Sequence, residues 1–163
     1  MKKLNRKGFT LIELLAIIVI LAIIMVVTIP TVLSSMGDAR ETTFQNSANT
    51  IADWIEKEYT MAQIGNADKA FTDVCGVNGS GCVGTAKTIG TNVSGQQSTR
   101  AAITDPGFTA LLKASGVAEK NYSYVSILIT NGRACIKLNA ATGGDFDSLA
   151  KDGSKYTKSS TAC

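Results

Sequence analysis

The sequence contains no histidine, the side chain that enzymes most often use as a general base and a common metal ligand. None of its four cysteines forms a CxxC pair, and zinc sites usually need closely spaced ligands. A GxxxxGK(S/T) phosphate-binding pattern and a recognisable nucleophile motif are also absent. These absences argue against an enzyme, and we expect no catalytic residue, no cofactor and no metal site.

Positive charge is scarce beyond the first eight residues. The formal net charge of +3 includes the four basic side chains of Lys2, Lys3, Arg6 and Lys7. Without residues 1–8, twelve basic side chains stand against thirteen acidic ones. The rest of the chain therefore lacks the basic excess typical of nucleic-acid-binding proteins. DNA is a conceivable partner, but the charge does not indicate it.

An apolar segment follows the basic start. Leu14–Val27 is an uninterrupted apolar run, and the twenty-five residues from Phe9 to Leu33 can span a hydrocarbon layer of about 30 Å. The basic cluster favours a cytoplasmic N-terminus, which places the bulk of the chain outside. A secretory signal peptide and a plain signal anchor share these features. Residues 26–33 offer no small-x-small cleavage site, however, and neither interpretation explains Glu13 within the apolar helix.

The residues Lys7-Gly8-Phe9-Thr10-Leu11-Ile12-Glu13 resemble the processing junction of type IV prepilins and pseudopilins, a class III-type signal. The resemblance implies that a prepilin peptidase cuts between Gly8 and Phe9 and methylates the new amine of Phe9. Glu13 then becomes the fifth mature residue, the position of the family's assembly glutamate. Pro30 becomes mature residue 22, where many members have a helix-kinking proline. The resemblance covers about residues 1–35.

The chemistry of the two implied groups is compatible with assembly. A free α-amine has a pKa of about 8, so it is mostly cationic at neutral pH. We expect the Glu13 carboxylate of one subunit to form a salt bridge with the Phe9 amine of a neighbour. A charge that an isolated apolar helix leaves unpaired would then favour polymerisation and set its axial register.

Pro30 interrupts the hydrogen-bond pattern of the predicted helix, because it has no backbone N–H and its ring crowds the preceding turn. We expect a kink or a locally melted stretch within a longer helix, in which Thr28 and Thr31 help to satisfy the freed carbonyls. The alternative is that Pro30 marks the end of the membrane helix.

The segment after residue 35 has the periodicity of an amphipathic helix. Its apolar residues recur every three or four positions and form one stripe: Phe44, Ala48, Ile51, Ile55, Tyr59 and Ala62. Most charged residues are expected off that stripe: Arg40, Glu41, Asp53, Glu56, Lys57 and Glu58. Gly65 and Asn66 favour a helix end near residue 64.

Residues 65–104 are rich in Gly, Thr, Ser and Asn and predict a long connecting region. An even number of cysteines after an export-type N-terminus indicates two disulfides. We favour Cys75 with Cys82, around a glycine-rich loop, and Cys135 with Cys163, although three pairings are compatible with the sequence.

The remainder predicts a short helix and a β-hairpin. Asp105 is expected to cap a helix that has Pro106 in its first turn and ends at Gly116. Alternating apolar residues on both sides of Asn131-Gly132 predict a hairpin over residues 122–138. The fold class is therefore α+β: a long N-terminal helical spine, with a membrane or filament-core half and an amphipathic half, packed against a small antiparallel sheet.

These expectations divide the chain into four parts: a leader peptide at 1–8, a hydrophobic transmembrane and assembly helix at 9–35, the amphipathic half of the spine at 36–64, and a disulfide-stapled head at 65–163. The resemblance implies a structural pilin of a type IV pilus. Expected partners are other pilin subunits in a homopolymer, the prepilin peptidase, the pilus assembly machinery and the cytoplasmic membrane.

The expected location changes during maturation. The chain begins as a single-pass cytoplasmic membrane protein and then becomes part of an extracellular filament. Two alternatives stay open from the sequence. One is a pseudopilin of a competence or type II secretion system, which shares the same N-terminus. The other is a membrane-tethered extracellular binding domain that never polymerises.

Overall fold

The fold is α+β, as the sequence predicts. The computed structural model describes residues 9–90, 105–141 and 143–146, and the backbone of Tyr156 and Thr157. Short 3-10 turns occur at Val77–Gly79 and Glu119–Asn121. The helices and strands follow in the order α1 (Leu11–Gln63), α2 (Lys69–Cys75), β1 (Lys87–Gly90), α3 (Pro106–Ala114), β2 (Tyr122–Thr130), β3 (Arg133–Ala140) and β4 (Tyr156–Thr157).

The chain divides into two compact units, Met1–Ala39 and Arg40–Cys163. Within the described part of the first unit, α1 is helical from Leu11 onward and its side chains are exposed. The large apolar residues from Phe9 to Leu33 have exposed fractions between 47% and 84%, so this unit buries none of them. By length and composition, α1 is apolar enough to cross a membrane.

The second unit contains a four-stranded antiparallel sheet with the strand order β1-β2-β3-β4. Strands β2 and β3 form the predicted hairpin, in which Thr130 pairs with Arg133. The two residues between them, Asn131 and Gly132, both have positive φ, at 52° and 76°. A two-residue turn of this kind matches the twist of the flanking strands, which explains why Asn-Gly was a strong signal.

The core of the second unit joins the amphipathic stripe of α1 to one face of the sheet. Ile51 and Ile55 on α1 are fully buried, as are Val125 and Ile127 on β2. Tyr59 is half-buried and packs against this cluster from its edge. The remaining large members come from every part of the unit: Phe44, Phe71, Phe108, Leu111, Leu112, Ile129, Ile136 and Leu138.

The long connecting region predicted over residues 65–104 contains a helix and a strand in its described part, and neither was predicted. Asp68 caps α2, because its side chain accepts a hydrogen bond from the Ala70 N–H at 2.7 Å. Strand β1 pairs with β2. Both elements are short, so neither shows a readable period in the sequence. The rest of this prediction, residues 91–104, lies outside the described residues.

Helix α3 begins as predicted. The Asp105 side chain accepts hydrogen bonds from the N–H groups of Gly107 at 2.9 Å and Phe108 at 3.3 Å. Its second oxygen accepts the N–H of Gly90, at the end of β1, at 3.0 Å. One carboxylate therefore caps the helix and ties it to the edge of the sheet.

Glu58 corrects one detail of the predicted helix face. It was expected off the apolar stripe, but it is only 6% exposed. Its carboxylate accepts the N–H of Asp68 at 2.7 Å, and the Lys57 ammonium lies 3.7 Å from its other oxygen. A carboxylate can be buried when hydrogen bonds and an opposite charge replace its water. Glu58 thereby links α1 to the start of α2.

A disulfide joins Cys75, the last residue of α2, to Cys82, and both cysteines are fully buried. The Gly81 N–H donates to the Cys75 carbonyl at 2.7 Å inside this ring. Cys135 on β3 is also disulfide-bonded. Its predicted partner, Cys163, lies outside the described residues.

Candidate functional site

At the start of α1, the side chains of Thr10 and Glu13 each form a hydrogen bond with the backbone N–H of the other residue. The Glu13 carboxylate accepts hydrogen bonds from the Thr10 N–H at 2.8 Å and from the Thr10 hydroxyl at 2.7 Å, both through Oε2. The Glu13 N–H lies 3.4 Å from the Thr10 hydroxyl oxygen and 3.1 Å from the Thr10 carbonyl. Thr10 at the cap and Glu13 three residues later form a capping box.

This capping box matters in an apolar environment. The first N–H groups of a helix have no partner within the helix, and lipid offers none. Glu13 provides one for Thr10 without help from another chain. Glu13 was predicted as a site residue and Thr10 was not, although the pattern Thr-x-x-Glu before an apolar run is the sequence signal of a capping box.

The second carboxylate oxygen of Glu13, Oε1, has no hydrogen-bond or ion-pair partner among the described residues. The side chain is exposed, and so is Phe9, with 81% of its surface accessible. Both residues of the predicted salt bridge are therefore accessible to another molecule. Gly8 and the rest of the predicted leader lie outside the described residues, so the cleavage junction is described only on its Phe9 side.

Pro30 lies inside α1, and the helix continues without a break on both sides of it. The neighbouring hydroxyls donate to carbonyls four residues earlier: Thr28 to Ile24 at 3.0 Å, and Thr31 to Val27 at 3.3 Å. Pro30 has no N–H to donate to the carbonyl of Val26, and neither threonine bonds that oxygen. The kink stays a prediction.

Comparison with known protein families gives a match for this segment. Residues 3–29 match the family model described as the prokaryotic N-terminal methylation motif. The N-terminus is that of a type IV pilin-like protein. The match covers the basic start, the Gly8–Phe9 junction, Glu13 and most of the apolar run, and it supports the type IV pilin and pseudopilin family. No curated protein and no solved structure matches the pilin-like chain.

Among the residues that the structure describes, no group of three or more histidine, cysteine, aspartate and glutamate side chains is arranged to hold a metal ion. The chemistry that the N-terminal site can perform is recognition: a carboxylate with one committed oxygen and one available oxygen can accept a cationic hydrogen-bond donor.

Proposed function

We propose that the chain is a structural pilin of a type IV pilus. Prepilin peptidase removes residues 1–8, methylates the amine of Phe9, and releases a subunit that polymerises with copies of itself. The subunit is held in the cytoplasmic membrane by the apolar part of α1 until the assembly machinery moves it into the extracellular filament. The observation that best supports this proposal is the Thr10–Glu13 pair at the start of an exposed apolar helix that matches the methylation motif.

The capping box gives Glu13 two separate roles in this proposal. Oε2 stays bonded to Thr10 in the membrane and in the filament. Oε1 accepts the cationic amine of Phe9 from a neighbouring subunit, and this hydrogen bond between charged groups favours assembly at a single register. The helix start therefore does not need to rearrange when the subunit leaves the bilayer.

Replacing Glu13 tests this mechanism directly. Glu13→Gln retains the shape of the side chain and an acceptor for Thr10 but removes the negative charge. We expect processing to continue while the filament yield falls by at least about tenfold, because the neighbouring amine keeps its charge without a partner. Filament yield is measured by shearing and quantifying surface filaments, and processing by the mass of the membrane-bound chain.

Glu41→Gln is the matched control, since Glu41 is an exposed glutamate on the same helix outside the matched motif. We expect it to assemble at the wild-type level. Wild-type yields of filaments from Glu13→Gln would refute the charge-pairing role. An unprocessed N-terminus in the wild-type chain would refute the pilin assignment itself and favour a tethered binding domain.

A further inference from the structure

A groove in the second unit is lined by both polar and apolar side chains. Its volume is about 300 Å³, at the small end of the range for ligand pockets. The polar lining includes Asn46, Ser47 and Thr50 of α1 together with Asn121. Val117, Tyr122 and Phe146 contribute the large apolar and aromatic side chains. The pilin function proposed above does not use this groove.

The groove has no charged lining. Among the described residues that line it, there is no aspartate, glutamate, lysine or arginine. Asp145, which precedes the lining residue Phe146 in the chain, forms an ion pair with Lys120 at 3.6 Å. An ionic ligand would lose its hydration in this groove without gaining an opposite charge. The expected ligand is therefore neutral.

Asn121 contributes a buried donor to the groove. The residue is only 6% exposed, and its Oδ1 accepts the N–H of Asp145 at 3.2 Å. That bond fixes the orientation of the amide, which leaves its NH2 group without a partner among the described residues. A buried donor without an acceptor costs about 1–3 kcal/mol, a cost that a ligand oxygen would remove.

Helix α1 contributes an acceptor to the groove. The Thr50 hydroxyl donates to the Asn46 carbonyl at 2.9 Å. Since a hydroxyl has only one hydrogen, this bond leaves oxygen lone pairs to accept from a ligand. The Ser47 hydroxyl donates to the Thr43 carbonyl at 3.0 Å and also hydrogen-bonds with Tyr122, so it is already engaged within the chain. The exposed amide of Asn46 adds both a donor and an acceptor at the rim.

A ligand for this groove must accept and donate hydrogen bonds, carry no charge and cover apolar side chains. Sugar hydroxyls do both, and the C–H face of a sugar ring is apolar. We propose that the groove binds one neutral hexose unit of a carbohydrate. The affinity for a single sugar is expected to be millimolar, as is usual for so small a ligand.

The test uses the full chain, 15N-labelled, in phosphocholine micelles, so that no sugar-based detergent competes. Methyl glucoside, methyl galactoside and methyl N-acetylglucosaminide are titrated separately, and the side-chain amide signals of Asn46 and Asn121 are followed by NMR. We expect saturable shifts of both amides with at least one glycoside. Glucuronate, which has the same ring with a carboxylate, is expected to bind at least about fivefold more weakly.

Two variants and a matched control locate the site. Thr50→Val removes a hydroxyl while retaining the side-chain shape, and Asn46→Ala removes the rim amide. Each should weaken glycoside binding about three- to tenfold, the effect of one lost hydrogen bond. Thr60→Val is the control, because the Thr60 hydroxyl makes the same bond within α1, to Glu56 at 3.0 Å, away from the groove. It should leave binding unchanged.

Three results would overturn the proposal: no saturable shift at Asn46 and Asn121 with any glycoside, glucuronate binding as tightly as the neutral glycosides, or shifts produced by an uncharged Gly-Ser-Thr peptide but not by sugars. Binding is measured on unpolymerised chains, so its outcome is independent of filament formation. We expect the Thr50→Val and Asn46→Ala variants to be processed and assembled normally, which separates failure of this proposal from failure of the pilin function.

Discussion

Glu58 is a buried carboxylate that stabilises the second unit by linking α1 to the start of α2. It accepts the Asp68 N–H at 2.7 Å, next to the cap of α2. Asp68 itself is exposed, but a hydrogen bond to a charged acceptor contributes more to stability than one between neutral groups. The residue therefore determines how firmly α2 is held at the end of α1.

Glu58→Ala should lower the free energy of unfolding by about 1–3 kcal/mol, because the Asp68 N–H loses its acceptor. Urea titration of the detergent-solubilised chain measures this loss. Trp54, the single tryptophan, packs partly buried against the core and reports unfolding by its fluorescence. Glu41→Ala, at an exposed position, should change stability by less than about 0.5 kcal/mol. Equal losses from the two variants would show that the hydrogen bond between Glu58 and Asp68 is unimportant for stability.

Tyr122 makes stability sensitive to alkaline pH. The residue is 1% exposed, and this burial raises the pKa of its phenol above the ordinary value. A hydrogen bond with Ser47 acts in the opposite direction, and the charge of Asp145 raises the pKa further. The folded chain therefore retains the phenol proton at a pH where the unfolded chain releases it.

The contribution of Tyr122 to the free energy of unfolding is fully present below pH 10, the ordinary pKa of tyrosine. It is lost as the pH rises through the higher pKa of the folded chain. We expect the free energy of unfolding to fall above pH 10, and to fall less steeply in Tyr122→Phe. Urea titrations at several pH values between about 8 and 11 measure both slopes. Identical slopes in the two chains would contradict the prediction.

Gly90 allows the end of strand β1 to approach β2 closely, because glycine has no side chain. Gly90 has a φ of +90°, and a Cβ there would lie 2.5 Å from the Ser123 carbonyl oxygen and 2.9 Å from the Tyr124 Cα. Both neighbours are backbone atoms of β2 and cannot move independently. Only glycine allows the strand to approach β2 this closely at its end.

Gly90→Ala should destabilise the chain by about 3 kcal/mol, since overpacking adds to the strain of a positive φ. Gly84→Ala is a matched control: its φ is +70°, but a Cβ there has no atom within 4 Å. The control should lose only about 1 kcal/mol. Thermal or urea unfolding of both variants separates the cost of steric overlap from the cost of a positive φ. Equal losses of stability in the two variants would show that steric overlap at residue 90 contributes nothing.

At the scale of the whole molecule, we expect the four cysteines to form two disulfides. Cys75 and Cys82 are joined, and Cys135 is disulfide-bonded. We predict Cys163 as the partner of Cys135. Proteolysis under non-reducing conditions followed by mass spectrometry should yield two linked peptides, one containing Cys75 and Cys82 and one containing Cys135 and Cys163. A peptide linking Cys75 to Cys135 would contradict this arrangement.

Local signals made much of the fold predictable from the sequence. The stripe on α1, the Asp105 cap and the Asn131-Gly132 turn each depend on residues close together in the chain, so their patterns are visible without the structure. Strand β1 was not predictable, because it is four residues long and its partner β2 begins more than thirty residues later. At the N-terminus, Glu13 was recognised by its charge, whereas the role of Thr10 required the geometry of the capping box.

The hydrogen bond between Gly90 and Asp105 has a practical consequence for protein engineering. It joins two positions that are 15 residues apart in the chain, and both are fixed by their own elements, β1 and α3. Lengthening a chain segment whose ends are already fixed costs little entropy, so ten inserted residues should cost only about 0.5 kcal/mol. A foreign peptide inserted between these two anchors should therefore cost the fold little stability.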